Sequence, residues 1–72
     1  MSLRNHSWRK VVNILTKEYH FRYFGSRGDH MKYFHEDGRH TTIPRHDPIK
    51  EGTLRGILSD CGISKEEFIN KL

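Results

Sequence analysis

Cysteine and proline are scarce in this chain, and long apolar runs are missing. Cys61 is the only cysteine, so no disulfide framework can be drawn. Its place among leucine and isoleucine reads as core rather than as a reactive thiol. No segment approaches the roughly 20 apolar residues of a membrane span. No signal-peptide core is visible at the N-terminus, so a cytoplasmic setting is the expectation. Low-complexity tracts and internal repeats are also absent. A P-loop, a dinucleotide fingerprint and a carboxylate pair are lacking too, which removes the readings that depend on them. Acidic side chains are outnumbered, nine against 13 Lys and Arg, giving a formal charge of +4 before six histidines are counted. That excess suits a polyanionic partner such as nucleic acid, or an acidic protein. It equally suits simple solubility.

With 72 residues the chain has room for a single domain, 1–72, and one modest core. Trp8, Val11, Val12 and Leu15 recur at helical spacing, with Arg9, Lys10, Asn13 and Lys17 opposite and Ser7 as N-cap. From Tyr19 the period shortens toward two. "HFRYFG" reads as a strand closed by the turn signal "GSRG". "HMKYFH" and "RHTTIP" read as a hairpin joined by "EDG", with Gly38 in the left-handed position. Pro44 ends the pairing. Leu54, Ile57, Leu58 and Cys61 form a second helical stripe, closed by Gly62. Ser64 and Glu67 have capping-box spacing for a short last helix carrying Phe68, Ile69 and Leu72. The predicted order is α-β-β-β-α plus a terminal helix. This is an α+β fold: a three-stranded antiparallel sheet with helices on one face and the other face open.

A three-residue loop sets the hairpin register. Phe34 opposes His40, Tyr33 opposes Thr41, Lys32 opposes Thr42 and Met31 opposes Ile43. Alternation then puts Met31, Tyr33 and Ile43 on the core face and His30, Lys32, Phe34, His40 and Thr42 on the open face. In the first strand Phe21 and Tyr23 suit the core, while His20 and Arg22 suit the open face. The open face thus mixes histidine, cations and an aromatic ring. Such a mixture suits RNA, through phosphate contacts and stacking; it is also compatible with a solvated basic surface.

The segment "GSRGDHMKYFHEDGRHTTIPRH" holds four histidines and four cationic side chains. A zinc site among them is disfavoured. His30 and His35 lie an odd number of residues apart on one strand and so face opposite ways. The usual cysteine or carboxylate ligands at close spacing are missing. No metal or other cofactor is expected.

The run "GDHMKYFHEDGRHTTIPRH", followed by "EGTLRGILSDCGIS" and "EEF", resembles the HicA-type toxins, mRNA interferases of toxin–antitoxin pairs. That family pattern has a glycine, a serine and a histidine opening the second strand. A hairpin with Asp-Gly, a Val/Ile-Pro-x-His strand end and a Gly-Thr-Leu-x-x-Ile-Leu helix follow. The resemblance spans nearly the whole chain. It implies a fold like the double-stranded-RNA-binding domain and an endoribonuclease whose catalytic histidine here is His30. It also implies mRNA as substrate and a HicB-type antitoxin as partner, with no membrane and no direct DNA contact. Two positions depart from the pattern. Asp29 replaces the serine, and Met31 stands where a second histidine is frequent.

The chemistry expected of His30 needs no metal, because RNA carries its own nucleophile in the 2′-hydroxyl. A base that removes that proton starts attack on the adjacent phosphorus. An ordinary imidazole, titrating near pH ~6.5, has a useful neutral fraction at neutral pH. Lys32, Arg22 and Arg45 are the expected cations for RNA binding and for the transition state. Gly28 is expected to turn the backbone tightly and admit RNA close to His30. His40 and His46 are the candidates for a second acid or base. Two other classes stay open: a non-catalytic RNA-binding domain of the same fold, and a protein-interaction module with a basic face.

Overall fold

The computed structural model describes residues 2–72. Helix α1 (Trp8–Tyr19) starts at Ser7, whose side chain accepts a hydrogen bond from the Lys10 N–H, satisfying one of the free donors of the first turn. Its buried residues are Val11, Ile14 and Leu15, while Trp8 and Val12 are only partly covered. The apolar stripe is thus rotated toward Ile14 from the expected one. His20 ends the helix in a left-handed conformation, φ 63°, and its N–H bonds the Leu15 carbonyl. It caps a helix and does not join the open face of the sheet, as the sequence reading had it.

Strand β1 (Arg22–Arg27) pairs antiparallel with β2 (His30–Phe34), which pairs antiparallel with β3 (His40–Pro44). The β2–β3 register is the expected one at all four predicted positions. The Gly38 φ is 103°, and the His35 N–H closes the loop onto the Arg39 carbonyl at 2.8 Å. Strand β1 differs from its expectation. It does not stop at Gly25; it continues through Ser26 to Arg27. Gly25 (φ 120°) belongs to a β-bulge, where the register steps from Tyr23 opposite Tyr33 to Gly25 opposite Lys32 and leaves Phe24 without a partner. The turn lies at Gly28 and Asp29. Gly28 has φ 59° and Asp29 does not share the left-handed region, the backbone pattern of a two-residue type II′ hairpin.

Helices α2 (Glu51–Cys61) and α3 (Lys65–Asn70) follow. Leu54, Ile57, Leu58 and Cys61 are buried as the stripe requires, Gly62 closes α2 at φ 68°, and Ser64 and Glu67 form a complete capping box on α3. The helices pack over the β3 side of the sheet. Met31, Tyr33 and Ile43 face them in one core with Leu15, Phe21, Leu54 and Phe68. Each large side chain buried this way contributes roughly 1.5–3 kcal/mol. Tyr23 does not join that core. It lies beside Tyr33, ring centroids 5.7 Å apart, but stays 55 % exposed because edge strand β1 overhangs the helices. The segment before α1 supplies core residues that no periodicity announced. Leu3 and His6 are buried, and His6 bridges to Ile49.

Candidate RNA-binding and catalytic face

No Asp or Glu occurs within the three strands, and the open face carries three cross-strand rows. Arg22, Phe34 and His40 make the first. Gly25, Lys32 and Thr42 make the second. Arg27, His30 and Pro44 make the third, at the turn end of the sheet. Among the described residues, no ion pair engages Arg22, Arg27 or Lys32; the pairs that form involve other cations, away from this face. Three unpaired cations on strands without carboxylates create a local positive potential.

His30 opens β2 directly after the Gly28–Asp29 turn and is exposed. It lines a depression of about 430 Å³ together with Asp29, Thr42, His46, Lys50 and Thr53, at the smaller end of ligand-sized sites. Asp29 shares that wall, yet no ion pair joins it to His30. His46 reaches the depression on the loop between β3 and α2. That loop is fastened at several points. The Arg45 N–H donates to the Asp29 carbonyl at 2.7 Å, and the Ile49 N–H donates to the His6 carbonyl at 2.9 Å. Asp47 accepts the Trp8 N–H at 3.0 Å at the start of α1.

The N-terminus of α2 forms another wall. Lys50 is its N-cap residue and makes no side-chain capping bond, so the free N–H groups of the first turn and the lysine favour an anion there. Glu51, in the same turn, is held by Arg55 at 3.0 Å and Arg4 at 3.3 Å. Hydrogen bonds from Arg55, then from Arg4, keep its carboxyl below the usual carboxylate range.

The other expected site residues separate. Lys32 follows His30 on the same face, two residues along. Arg22 lies on that face at the opposite end, beside Phe34. His40 also pairs with Phe34, so it stands four residues along β2 from His30, roughly 13 Å at strand rise. It lines a second depression with Phe24, Lys32 and Phe34 and not the one that holds His30. Arg45 turns toward the helices, its guanidinium 5.5 Å from the centroid of the Trp8 ring. Its backbone, rather than its charge, touches the turn before His30. Gly28 provides the turn, and a Cβ there would meet nothing within 4 Å; its positive φ alone requires glycine.

Two residues of this face escaped the sequence reading. Arg27 is directly opposite His30, and Phe24 stands on the bulge with its ring 5.1 Å from that of Phe34. The dipeptide Gly28–Asp29 carried the missing signal, since Gly-X is a type II′ hairpin turn and makes Arg27 the partner of His30.

The remaining reactive groups are occupied in structure. Cys61 is fully buried, and burial, then the nearby Asp60 charge, pushes its thiol up to about 12. His35 packs against Phe21, ring centroids 5.3 Å apart, and contacts Asp37 at 3.0 Å. Arg39 ties that loop to α2: it pairs with Asp37 at 2.9 Å and donates to the Cys61 carbonyl. His35 and His30 thus lie on opposite sides of the sheet. Among the described residues no three His, Cys, Asp or Glu side chains converge into a metal-holding group. Nor is any helix of the described residues long and apolar enough to cross a membrane.

A comparison with curated proteins yields no match. A family model described as the HicA toxin of bacterial toxin–antitoxin systems matches residues 8–63, from the start of α1 to the residue before the α3 cap. With most of its length covered, this chain belongs to the HicA toxin family and is the toxin of a toxin–antitoxin pair.

Proposed function

We propose that this toxin is an endoribonuclease that cleaves mRNA without a metal, using His30 as general base. The observation that carries the reading is the convergence of His30 and His46, from β2 and from the loop after β3, on one depression of a face without strand carboxylates. Neutral His30 takes the proton of the 2′-hydroxyl. The 2′-oxygen attacks phosphorus, and the bond from phosphorus to the 5′-oxygen breaks. Protonated His46 gives its proton to that leaving oxygen. The products are a 2′,3′-cyclic phosphate and a free 5′-hydroxyl. Charge gathering on the phosphoryl oxygens meets Arg27 across the hairpin, Lys32 along the strand and the Lys50 end of α2, a fixed positive environment that needs no rearrangement at the moment of reaction. The antitoxin is proposed to be of the HicB type and to restrain the enzyme by covering this face.

Incubation of the purified protein with RNA in chelator tests the reading. Cleavage is expected to continue, with cyclic phosphate ends. His30→Ala should lower it by a factor of about 100 or more. Its fold should persist, because the side chain is exposed on the open face. Products with 5′-phosphates, or full activity in the folded variant, would exclude His30 as the base.

A further inference from the structure

Phe24 is 70 % exposed, more than Tyr23 or Leu72. A free aromatic ring on an edge strand needs an explanation, since burial against the core is ruled out by the bulge that leaves Phe24 unpaired. The same bulge brings its ring to Phe34 at 5.1 Å and 74°. The two rings edge a depression of about 590 Å³ with Lys32, His40 and Thr42, and no Asp or Glu contributes to its lining. An edge-to-face pair leaves a broad ring face uncovered. Aromatic faces flanked by a cation and a histidine suit a base on a phosphate backbone, since every base has a π-face and every linkage a negative charge. A purely apolar protein segment would leave Lys32 and His40 unused.

We infer that Phe24 and Phe34 form a base-stacking subsite for single-stranded RNA, next to the His30 depression on the same sheet face. This rests on the endoribonuclease reading and extends it to the form of the substrate. A strand running along β2 places a base on Phe24 and Phe34, a phosphate by Lys32 and the scissile linkage at His30. Bases locked in a duplex cannot splay onto the rings, so the subsite selects unpaired RNA. Stacking tolerates any base, so it contributes grip rather than sequence readout.

The test uses His30→Ala protein and a short fluorescent single-stranded RNA. Adding Phe24→Leu keeps an apolar side chain and removes the π-face. Affinity should fall about 5- to 150-fold, the loss of one stacked base. The salt dependence should not change, since that slope counts phosphate contacts. Phe24→Trp should bind at least as tightly as the parent, and binding to a duplex of the same sequence should ignore both substitutions. Unchanged RNA affinity in Phe24→Leu and Phe34→Leu would overturn the subsite. Loss of antitoxin affinity with RNA affinity intact would also overturn it and make the patch a protein-docking surface. Cleavage by the protein with native His30 separates the two readings. If RNA is cut to cyclic phosphate ends while Phe24 is indifferent, only the subsite falls; if RNA is neither bound nor cut, both fall.

Discussion

Arg27→Gln probes the row that the sequence left unread. Arg27 and His30 are directly opposed across a two-residue turn, so their Cβ atoms lie roughly 4.5–5.5 Å apart. A phosphoryl group touching His30 is therefore within salt-bridge reach of the guanidinium. Cyclisation adds about one negative charge to the phosphoryl oxygens beyond the ground state, and at ~4 Å that charge interacts by ~1 kcal/mol in bulk water and ~4 kcal/mol at an effective dielectric of ~20. Arg27 is exposed, which places it toward the lower figure. A loss of ~1–2 kcal/mol corresponds to a fall of about 5- to 30-fold in the cleavage step. Single-turnover cleavage of a labelled RNA at saturating protein isolates that step from binding. The log–log salt slope of RNA binding should flatten by about 0.7, one single-strand phosphate contact. The thermal midpoint should hardly move, since among the described residues no side-chain hydrogen bond or ion pair engages Arg27. Arg22→Gln, at the far end of the same strand, is the control: it should weaken binding with little effect on the bound rate. A rate within about twofold of the parent in Arg27→Gln, or equal rate losses in both variants, would refute a direct role at the reacting phosphate.

His46→Ala should slow cleavage by a factor of about 100 or more and remove one limb of a bell-shaped pH profile, whereas His40→Ala should alter RNA binding and leave the profile's shape intact. The reverse result would move the acid to the other depression. The antitoxin surface that meets the open face should carry an excess of Asp and Glu, so stopped-flow association should slow as salt rises, and RNA and antitoxin should exclude one another; a ternary complex of His30→Ala protein, RNA and antitoxin would show inhibition from a distance. Cys61 should resist thiol reagents in the folded protein. Its folded-state pKa lies above the unfolded one, so its stabilising share is complete below the ordinary thiol range and is lost as pH climbs toward about 12. Rapid labelling of Cys61 in native protein near neutral pH would contradict the burial.

Much of this architecture was legible where the information is local. The Glu36–Gly38 loop determines the β2–β3 register, and register determines which side chains share a face, so His30 and Lys32 could be placed from alternation alone. The helix caps at Ser7, Gly62 and Ser64 were legible for the same reason. Strand β1 was not. Gly25 and Gly28 are equally good turn residues in isolation, and only cross-strand pairing with β2 decides that one makes a bulge and the other the turn. That single ambiguity concealed Phe24 and Arg27, whereas His20 was misplaced because the helix runs on to Tyr19 and Tyr23 because edge strand β1 overhangs the helices. His46 and His40 could not be ranked because their distance from His30 depends on a loop anchored to α1 and to the segment around His6, contacts remote in sequence. The contact of Arg45 with Trp8 was not legible for a related reason, since nothing near Arg45 in sequence announced that ring.

The hydrogen bond from the Arg45 N–H to the Asp29 carbonyl has a bearing on how this site tolerates change. It joins the turn before His30 to the loop before His46 through backbone atoms alone. Any L-residue except proline at position 45 can donate that bond, and any residue at position 29 can accept it. The spacing of the two histidines is therefore insulated from side-chain drift at both positions. A side-chain change at position 29 therefore leaves the backbone bond beside His30 intact. Substitution of either side chain is thus free to change the local charge beside the depression, while the backbone bond that joins the two segments stays in place.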